Sequence, residues 1–363
     1  MKSRPWNHCA KLTTWRAALV LTALAAALVP TPERLVEELY SMGAYLVLQT
    51  RMTAVSNLVP FALIDVLLVV VAGGWIVAAA RDLMRGNRDG WLLAAGNIAI
   101  RTMVGASALY LGFLLLWGLN YRRVPLAEKL EFNANRASPD AARLLLEQAV
   151  GWVNVLYESA HSPVDASRPE PARLADAFAR AQRDLGAARI ARPGRPKHTM
   201  LELYFRRAAV DGMTDPYFLE TLVADELLPF ERPFVVAHEW SHLAGYADEG
   251  EANFVGWLTC LRGTRAEQYS GWLFLYGEVL HVVGSVDRME YAKRLAPGPQ
   301  GDRRAIADRV RRSVNPRVAA AGWRVYDTYL KANRVEAGAA SYAGVVRLAL
   351  GTRFGTDWTP LRR

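Results

Sequence analysis

The sequence predicts a membrane protein in which three N-terminal transmembrane helices precede a mainly α-helical domain with a small β-sheet. Hydrophobic residues make up 52% of the 363 residues, and the three longest apolar runs lie before residue 121. After that point, apolar residues recur at the three- and four-residue steps of amphipathic helices. One stretch, residues 217–230, is rich in β-favouring side chains and has a proline near its end, which is typical of a strand and its turn.

The three apolar runs cover approximately residues 15–30, 61–80 and 102–120. Each approaches the roughly 20 apolar residues that are needed to cross a hydrocarbon core. The first has no charged residue after Arg16, and the second has a single acid, Asp65. We therefore predict a transmembrane region over residues 1–120 and a separate domain over residues 121–363.

The orientation of these helices is predicted from basic residues in short flanking segments, which stay on the cytoplasmic side of a membrane. They are concentrated before the first run and between the second and third, at Lys2, Arg4, Lys11, Arg16, Arg81, Arg85, Arg88 and Arg101. The segment between the first two runs carries only Arg34 and Arg51. We therefore expect a multi-pass protein with a cytoplasmic N-terminus and an extracytoplasmic C-terminal domain.

Residues 33–57, which connect the first two runs, alternate apolar and polar side chains at helical spacing. This pattern predicts a helix that lies on the membrane surface or packs on the following domain.

The chain is basic, with a formal net charge of +9 and an isoelectric point near 9.7. Such a balance is compatible with nucleic acid or anionic lipid as a partner. The arginines are scattered, however, and no basic run is interleaved with aromatic residues. We therefore expect membrane lipid as a partner and no nucleic acid.

The domain after residue 120 carries clear helix signals. Ser138 is followed by Pro139 and then by apolar residues at helical spacing, which predicts a capped helix start. Pro233 suits the first turn of another helix, which continues through the apolar residues 234–237.

That second helix carries the strongest functional signal. His238, Glu239 and His242 form an H-E-x-x-H motif. Histidines four residues apart lie on one helical face, so both imidazoles can reach one metal ion. The glutamate beside the first histidine is placed to accept a proton from water that the metal activates.

Catalytic zinc usually has three protein ligands, and three acids compete for the third position. Asp248 fits H-E-x-x-H-x-x-G-x-x-D, whereas Glu249 fits a layout in which a second helix supplies E-x-x-A-N. Glu251 is the remaining alternative. We favour Glu249, because Asn253 then falls one turn later and can hydrogen-bond a ligand histidine from outside the metal's own ligand set.

The pairing of H-E-x-x-H with a following E-x-x-A-N resembles gluzincin-type zinc peptidases. That resemblance implies a zincin-like metallopeptidase domain, with the first glutamate of the second motif as a zinc ligand, here Glu249. Asn253 occupies the following Asn/Asp position. The spacing between His242 and Glu249 is shorter than in those peptidases.

Over nearly its full length the chain resembles an uncharacterised bacterial membrane family, domain-of-unknown-function family 3810. The similarity includes "WGLNYRR" at residues 117–123, "LPFERPFVVAHEWSHLAG" at residues 228–245, "DEGEANFVGWL" at residues 248–258 and "YLKANRVEAGAASYAGVV" at residues 329–346. This resemblance implies a location in the bacterial inner (cytoplasmic) membrane. The name of the family does not indicate an activity.

Together these features predict a membrane-anchored zinc metalloendopeptidase with Zn²⁺ as its cofactor. Its expected substrate is a peptide or protein of the cell envelope, held in extended form along the strand at residues 218–224. Glu239 is the expected general base. The alternative is a non-catalytic zinc-binding scaffold or sensor in the envelope, for which Glu239 has no function.

Overall fold

A computed structural model describes residues 6–162, 170–335 and 344–363. The basic leader residues Lys2 and Arg4 lie outside this range, as does part of the motif at residues 329–346. The described chain is mostly helical. Its N-terminal part contains α1 (Trp6–Leu28), α2 (Glu33–Leu35), a π-helical segment (Val36–Ala44), α3 (Tyr45–Ser56), α4 (Leu63–Asp89) and α5 (Trp91–Leu116).

Two of these helices are long and apolar enough to cross a membrane, over Leu63–Gly86 and Trp91–Leu116. The segments Thr14–Leu28 and Glu33–Ser56 pass the same test only as a pair, and they are bent by 111° where they meet. The described part of the chain therefore has two such helices, or three if the bent pair forms one span.

The span that we predicted at residues 102–120 has different bounds in the structure. It begins at Trp91 and ends at Leu116, before a 3-10 turn over Gly118–Arg122. Arg101, which suggested a boundary, lies within α5 and forms a 2.9 Å ion pair with the buried Asp82 of α4. Because the pair offsets both charges, the helix continues through this position.

The rest of the chain supplies eleven described helices. They are α6 (Leu126–Lys129), α7 (Pro139–His161), α8 (Glu170–Asp184), α9 (Glu202–Ala208), α10 (Arg232–Leu243), α11 (Glu249–Leu261), α12 (Arg265–Val282), α13 (Ser285–Arg294), α14 (Pro297–Ser313), α15 (Pro316–Ala332) and α16 (Gly344–Gly351). Ser138 caps α7 as predicted, since its hydroxyl accepts a hydrogen bond from the Ala141 N–H. Pro233 lies in the first turn of α10, as predicted.

A small sheet packs against α10. It contains β1 (Pro196–Lys197), β2 (Gly212–Asp215) and β3 (Glu220–Val223) in the order β1-β3-β2. Strand β3 pairs in parallel with β1 and antiparallel with β2. The predicted strand at residues 217–230 is thus much shorter, and it is central. Its hydrogen-bonding groups are used on both sides, so the expectation that residues 218–224 hold an extended substrate was wrong.

The sheet is joined to the start of α4 by a buried ion pair. The Lys197 ammonium contacts the Glu220 carboxylate, and both side chains are almost fully buried. The other Glu220 oxygen accepts a hydrogen bond of 2.7 Å from the Leu63 N–H. Because the first N–H groups of a helix lack intrahelical partners, this carboxylate satisfies one of them and fixes α4 to the sheet.

The end of α10 is held by side chains from the N-terminal part of the chain. Tyr45 donates to the Leu243 carbonyl over 2.9 Å, and the Trp117 indole donates to the His242 carbonyl over 3.0 Å. The carbonyl of Gly245, in the turn after the helix, accepts a hydrogen bond of 2.9 Å from the Arg123 guanidinium. These donors satisfy carbonyls that a helix end leaves unpaired. They also place the last turn of α10 beside the end of α5.

Candidate metal centre

His238 and His242 of α10 meet Glu249 of α11 at one point. The two Nε2 atoms are 3.1 Å apart, and Glu249 Oε2 lies 3.3 Å from His238 Nε2 and 3.5 Å from His242 Nε2. Among the described residues, these three form the group of potential metal ligands. The structure thus brings together the favoured ligand set.

The spacing of these atoms fits a tetrahedral ion. Zinc binds nitrogen and oxygen at about 2.0–2.1 Å, so neighbouring ligand atoms of a tetrahedral site lie about 3.3 Å apart. The three observed separations span 3.1–3.5 Å. Two imidazoles and one carboxylate are also a donor set typical of catalytic zinc, in which the fourth position stays open.

The orientation of His242 is fixed by the turn after α10. Its Nδ1 lies 2.7 Å from the carbonyl oxygen of Tyr246. With the proton on Nδ1 donated to that carbonyl, Nε2 keeps its lone pair for the metal. Gly245 adopts a φ of +84° in this turn, and a Cβ there would lie 2.9 Å from Asn120 Oδ1. A glycine is therefore required by both the backbone conformation and the packing.

Glu249 is buried, with 2% of its surface exposed. Burial alone would raise the pKa of its carboxyl. The positive charge of His242 and the close contacts with both histidines outweigh that effect and hold the pKa well below its usual range. The second carboxylate oxygen, Oε1, accepts a hydrogen bond from the Tyr326 hydroxyl of α15. Sequence reasoning missed Tyr326, because it is far from the motif and has no motif of its own.

The two alternative ligands point elsewhere. Asp248 caps α11, and its side chain accepts a hydrogen bond of 3.1 Å from the Glu251 N–H. Glu251 accepts a hydrogen bond from the Leu126 N–H, and burial raises its pKa to about 7. Neither belongs to the cluster of potential metal ligands among the described residues.

Asn253 lies one turn after Glu249 on α11 and is buried. The expected hydrogen bond between its side chain and a ligand histidine is not formed. Within the part of the chain that the structure describes, both Asn253 Nδ2 and His238 Nδ1 are buried without a hydrogen-bond partner. His242 Nδ1 instead faces the Tyr246 carbonyl.

Close contact between α10 and α11 depends on Gly256. A Cβ at this position would lie 3.0 Å from the backbone nitrogen of His238 and 3.1 Å from its Cα. Any larger side chain would push the two helices apart. Because Glu249 and the histidines lie on these facing helices, Gly256 helps to set their separation.

Glu239 lies on the side of α10 that faces strand β2. It is 4% exposed, and its Oε2 lies 2.8 Å from the Thr214 hydroxyl. A Cβ at Gly212 would lie 2.6 Å from the other carboxylate oxygen. Burial raises the pKa of Glu239, while the charges of the two histidines and the Thr214 hydrogen bond oppose that rise. The carboxylate is thus fixed next to the cluster without belonging to it.

Comparison with protein families gives one match. The model of a family described as Protein of unknown function (DUF3810) matches residues 40–350. The chain belongs to this family. The comparisons with curated proteins and with solved structures found no match.

The region matched by the DUF3810 model contains the cluster of potential metal ligands, Glu239 and its neighbours on β2, and both apolar helices α4 and α5. The family description assigns no activity.

Proposed function

We propose that this chain is a membrane-anchored zinc-dependent peptidase, in which His238, His242 and Glu249 hold the metal and Glu239 is the general base. The observation that carries the proposal is the placement of Glu239. Its buried carboxylate is held by Thr214, where the charges of His238, His242 and Glu249 all act on it. A metal site with a purely structural function needs no such neighbour.

Each group has a distinct task in this proposal. When bound, zinc supplies a Lewis acid toward water and toward the peptide carbonyl. Glu239 accepts the proton of the attacking water and passes it to the departing amine nitrogen. Thr214 keeps the Glu239 carboxylate in position through their 2.8 Å contact. The low exposure of His242, Glu239 and Glu249 limits competing water.

An extended peptide has one suitable place to bind near this base. In the described sheet, β2 is an outer strand, and it carries both Gly212 and Thr214 beside Glu239. Addition of a substrate segment along β2 would bring its carbonyl groups toward the cluster. Gly212 leaves the space that the Glu239 carboxylate occupies. Strand β2 therefore replaces β3 as the proposed substrate-binding strand.

The position of the site relative to the apolar helices favours a substrate close to the membrane. The indole of Trp117, directly after α5, donates a hydrogen bond to the His242 carbonyl. The Tyr217 hydroxyl donates a hydrogen bond of 3.3 Å to the Leu109 carbonyl within α5. We propose that the domain is extracytoplasmic and cleaves envelope peptides or proteins near the bilayer surface. The basic flanks of the apolar runs support this orientation.

A comparison of cells tests the proposal. One strain carries the wild-type chain, and the other carries Glu239→Gln, which keeps the size and hydrogen bonding of the side chain but accepts no proton. New N-termini among envelope peptides are then compared by chemical labelling and mass spectrometry. We expect a defined set of N-termini that only the wild type produces. Identical sets would contradict the proposal and support a non-catalytic metal-binding function.

A further inference from the structure

A cavity lies beside the turn that follows α10. It has a volume of about 870 Å³. Ala244 and Tyr246 line it, but His238, His242 and Glu249 do not. The π-helical segment Val36–Ala44, the end of α8 with the following residues, and residues 359–363 form its other walls.

The lining of this cavity has an excess of positive charge. Six of its residues are arginine or lysine, and three are aspartate or glutamate. Two of these acids are already paired. Glu37 lies 2.9 Å from Arg123 and 2.7 Å from Lys129, and Asp184 lies 2.6 Å from Arg262. The remaining basic groups thus have little negative charge opposite them.

Three arginines at the rim of the cavity are exposed: Arg183, Arg189 and Arg362. Their side chains form no ion pair or hydrogen bond within the residues that the structure describes. Gly186 has a φ of +83°, and a Cβ there would collide with the Arg362 guanidinium. The absence of a side chain at Gly186 therefore lets Arg362 lie close to the backbone at this rim.

The π-helical segment contributes Ser41 and Met42 to the lining and has exposed apolar side chains nearby. Ser41, which lines the cavity, is 1% exposed, and its hydroxyl has no hydrogen-bond partner among the described residues. On the same segment or just before it, Leu35, Leu39 and Met42 are 52%, 68% and 38% exposed. This segment follows the 111° bend after α1, at the end of the apolar helices.

We propose that this cavity binds the phosphate group of a phosphate-ester ligand. Guanidinium groups bind phosphate oxygens through paired N–H donors, and the Ser41 hydroxyl adds a donor that has no other partner. The exposed Leu35 and Leu39, on or next to the segment that lines the cavity, favour an anionic phospholipid as the source, since they would contact its acyl chains while the arginines bind its headgroup. The site does not depend on the proposed metal chemistry.

Binding is measured on the purified full-length chain in detergent, with two probes. Native mass spectrometry compares bound phosphatidylglycerol with bound phosphatidylcholine at equal concentration. Calorimetry measures the binding of inorganic pyrophosphate in the absence of lipid. The test variant replaces the three rim arginines, as Arg183→Gln, Arg189→Gln and Arg362→Gln. The control makes the same change in charge at exposed, unpaired arginines elsewhere in the described chain, as Arg207→Gln, Arg312→Gln and Arg317→Gln.

We expect the wild type and the control to bind the anionic probe at least about tenfold more tightly than the test variant. Each lost guanidinium–phosphate contact removes a charge-assisted hydrogen bond. A preference for phosphatidylglycerol without pyrophosphate binding identifies a lipid headgroup, and pyrophosphate binding identifies a soluble phosphate ester. Equal binding by the test variant and the control would overturn the proposal, as would a wild type that binds neither probe.

Discussion

Gly256 of α11 lies directly against the backbone of His238 in α10, where an added Cβ would lie 3.0 Å from the His238 nitrogen. The contact determines how closely the helix that carries Glu249 approaches the helix that carries both histidines. A change at Gly256 therefore tests whether the proposed metal ligands depend on this helix separation.

Gly256→Ala is expected to weaken metal binding at least about fivefold. Overpacking of this kind typically costs about 1–3 kcal/mol, and part of that cost would be relieved by moving Glu249 away from the histidines. Metal content after dialysis against a graded chelator measures the effect. The control is Gly277→Ala in α12, where an added Cβ has no neighbour within 4 Å. A Gly256→Ala protein that retains metal as well as this control would contradict the expectation.

Substitution of each of the three acids near the start of α11 is expected to have a different effect on metal retention. Glu249→Ala is expected to abolish retention of stoichiometric zinc, because the cluster then has only two ligands. Glu251→Ala is expected to retain zinc, since that carboxylate contacts the Leu126 N–H. Asp248→Ala is also expected to retain it, with a loss of stability of about 1 kcal/mol from the missing helix cap. Metal analysis of the purified variants distinguishes these outcomes, and full zinc content in Glu249→Ala would show that another residue is the ligand.

Substitution of Gly212 in β2 tests the position of the Glu239 carboxylate without changing a proposed metal ligand. In Gly212→Ala, the new Cβ would lie 2.6 Å from Glu239 Oε1 and displace the carboxylate. We expect unchanged zinc content and a fall in kcat of about tenfold or more, because misplacement of a catalytic group is costly even over a short distance. Steady-state cleavage of a peptide identified from the envelope comparison gives kcat. A variant with normal kcat would show that this contact does not position the base.

The buried ion pair between Lys197 and Glu220 predicts a large effect on stability. Lys197→Met leaves the Glu220 carboxylate buried without its cation, and such a loss typically destabilises by about 3–5 kcal/mol. Thermal unfolding of the protein in detergent measures the change. The matched control is Lys331→Met, which breaks an exposed pair with Asp327 and should cost less than about 0.5 kcal/mol. Similar melting temperatures for the two variants would contradict the assignment of this pair as the link between the sheet and α4.

Features that depend on short-range spacing were predictable from the sequence. The four-residue step between His238 and His242 placed both on one helical face, and Ser138 and Pro233 marked helix starts that the structure confirms. Glu249 was the favoured partner from the second motif alone, and the structure brings it to the histidines.

Features that depend on distant contacts were not predictable. Tyr326 reaches Glu249 from 77 positions away, and no local pattern marks that contact. Strand β1 has only two residues, too few for an alternating pattern to show. Arg101 suggested that the third span starts after it, but its charge is offset by Asp82 on the neighbouring helix and the helix begins at Trp91. The hydrogen bond expected from Asn253 is not formed: the Tyr246 carbonyl faces His242 Nδ1, and among the described residues Asn253 Nδ2 and His238 Nδ1 are both without a partner.

Glu239 is proposed to act as the base beside a bound zinc ion, and this claim is tested most directly by zinc content and peptide cleavage measured on the same preparations of wild type and Glu239→Gln. We predict equal zinc content, equal thermal stability and a loss of cleavage of at least about 100-fold in the variant, as is typical when a general base is removed. Chelation of zinc should abolish the wild-type activity. A Gln variant that cleaves as fast as the wild type would contradict the claim, and so would one that no longer holds zinc.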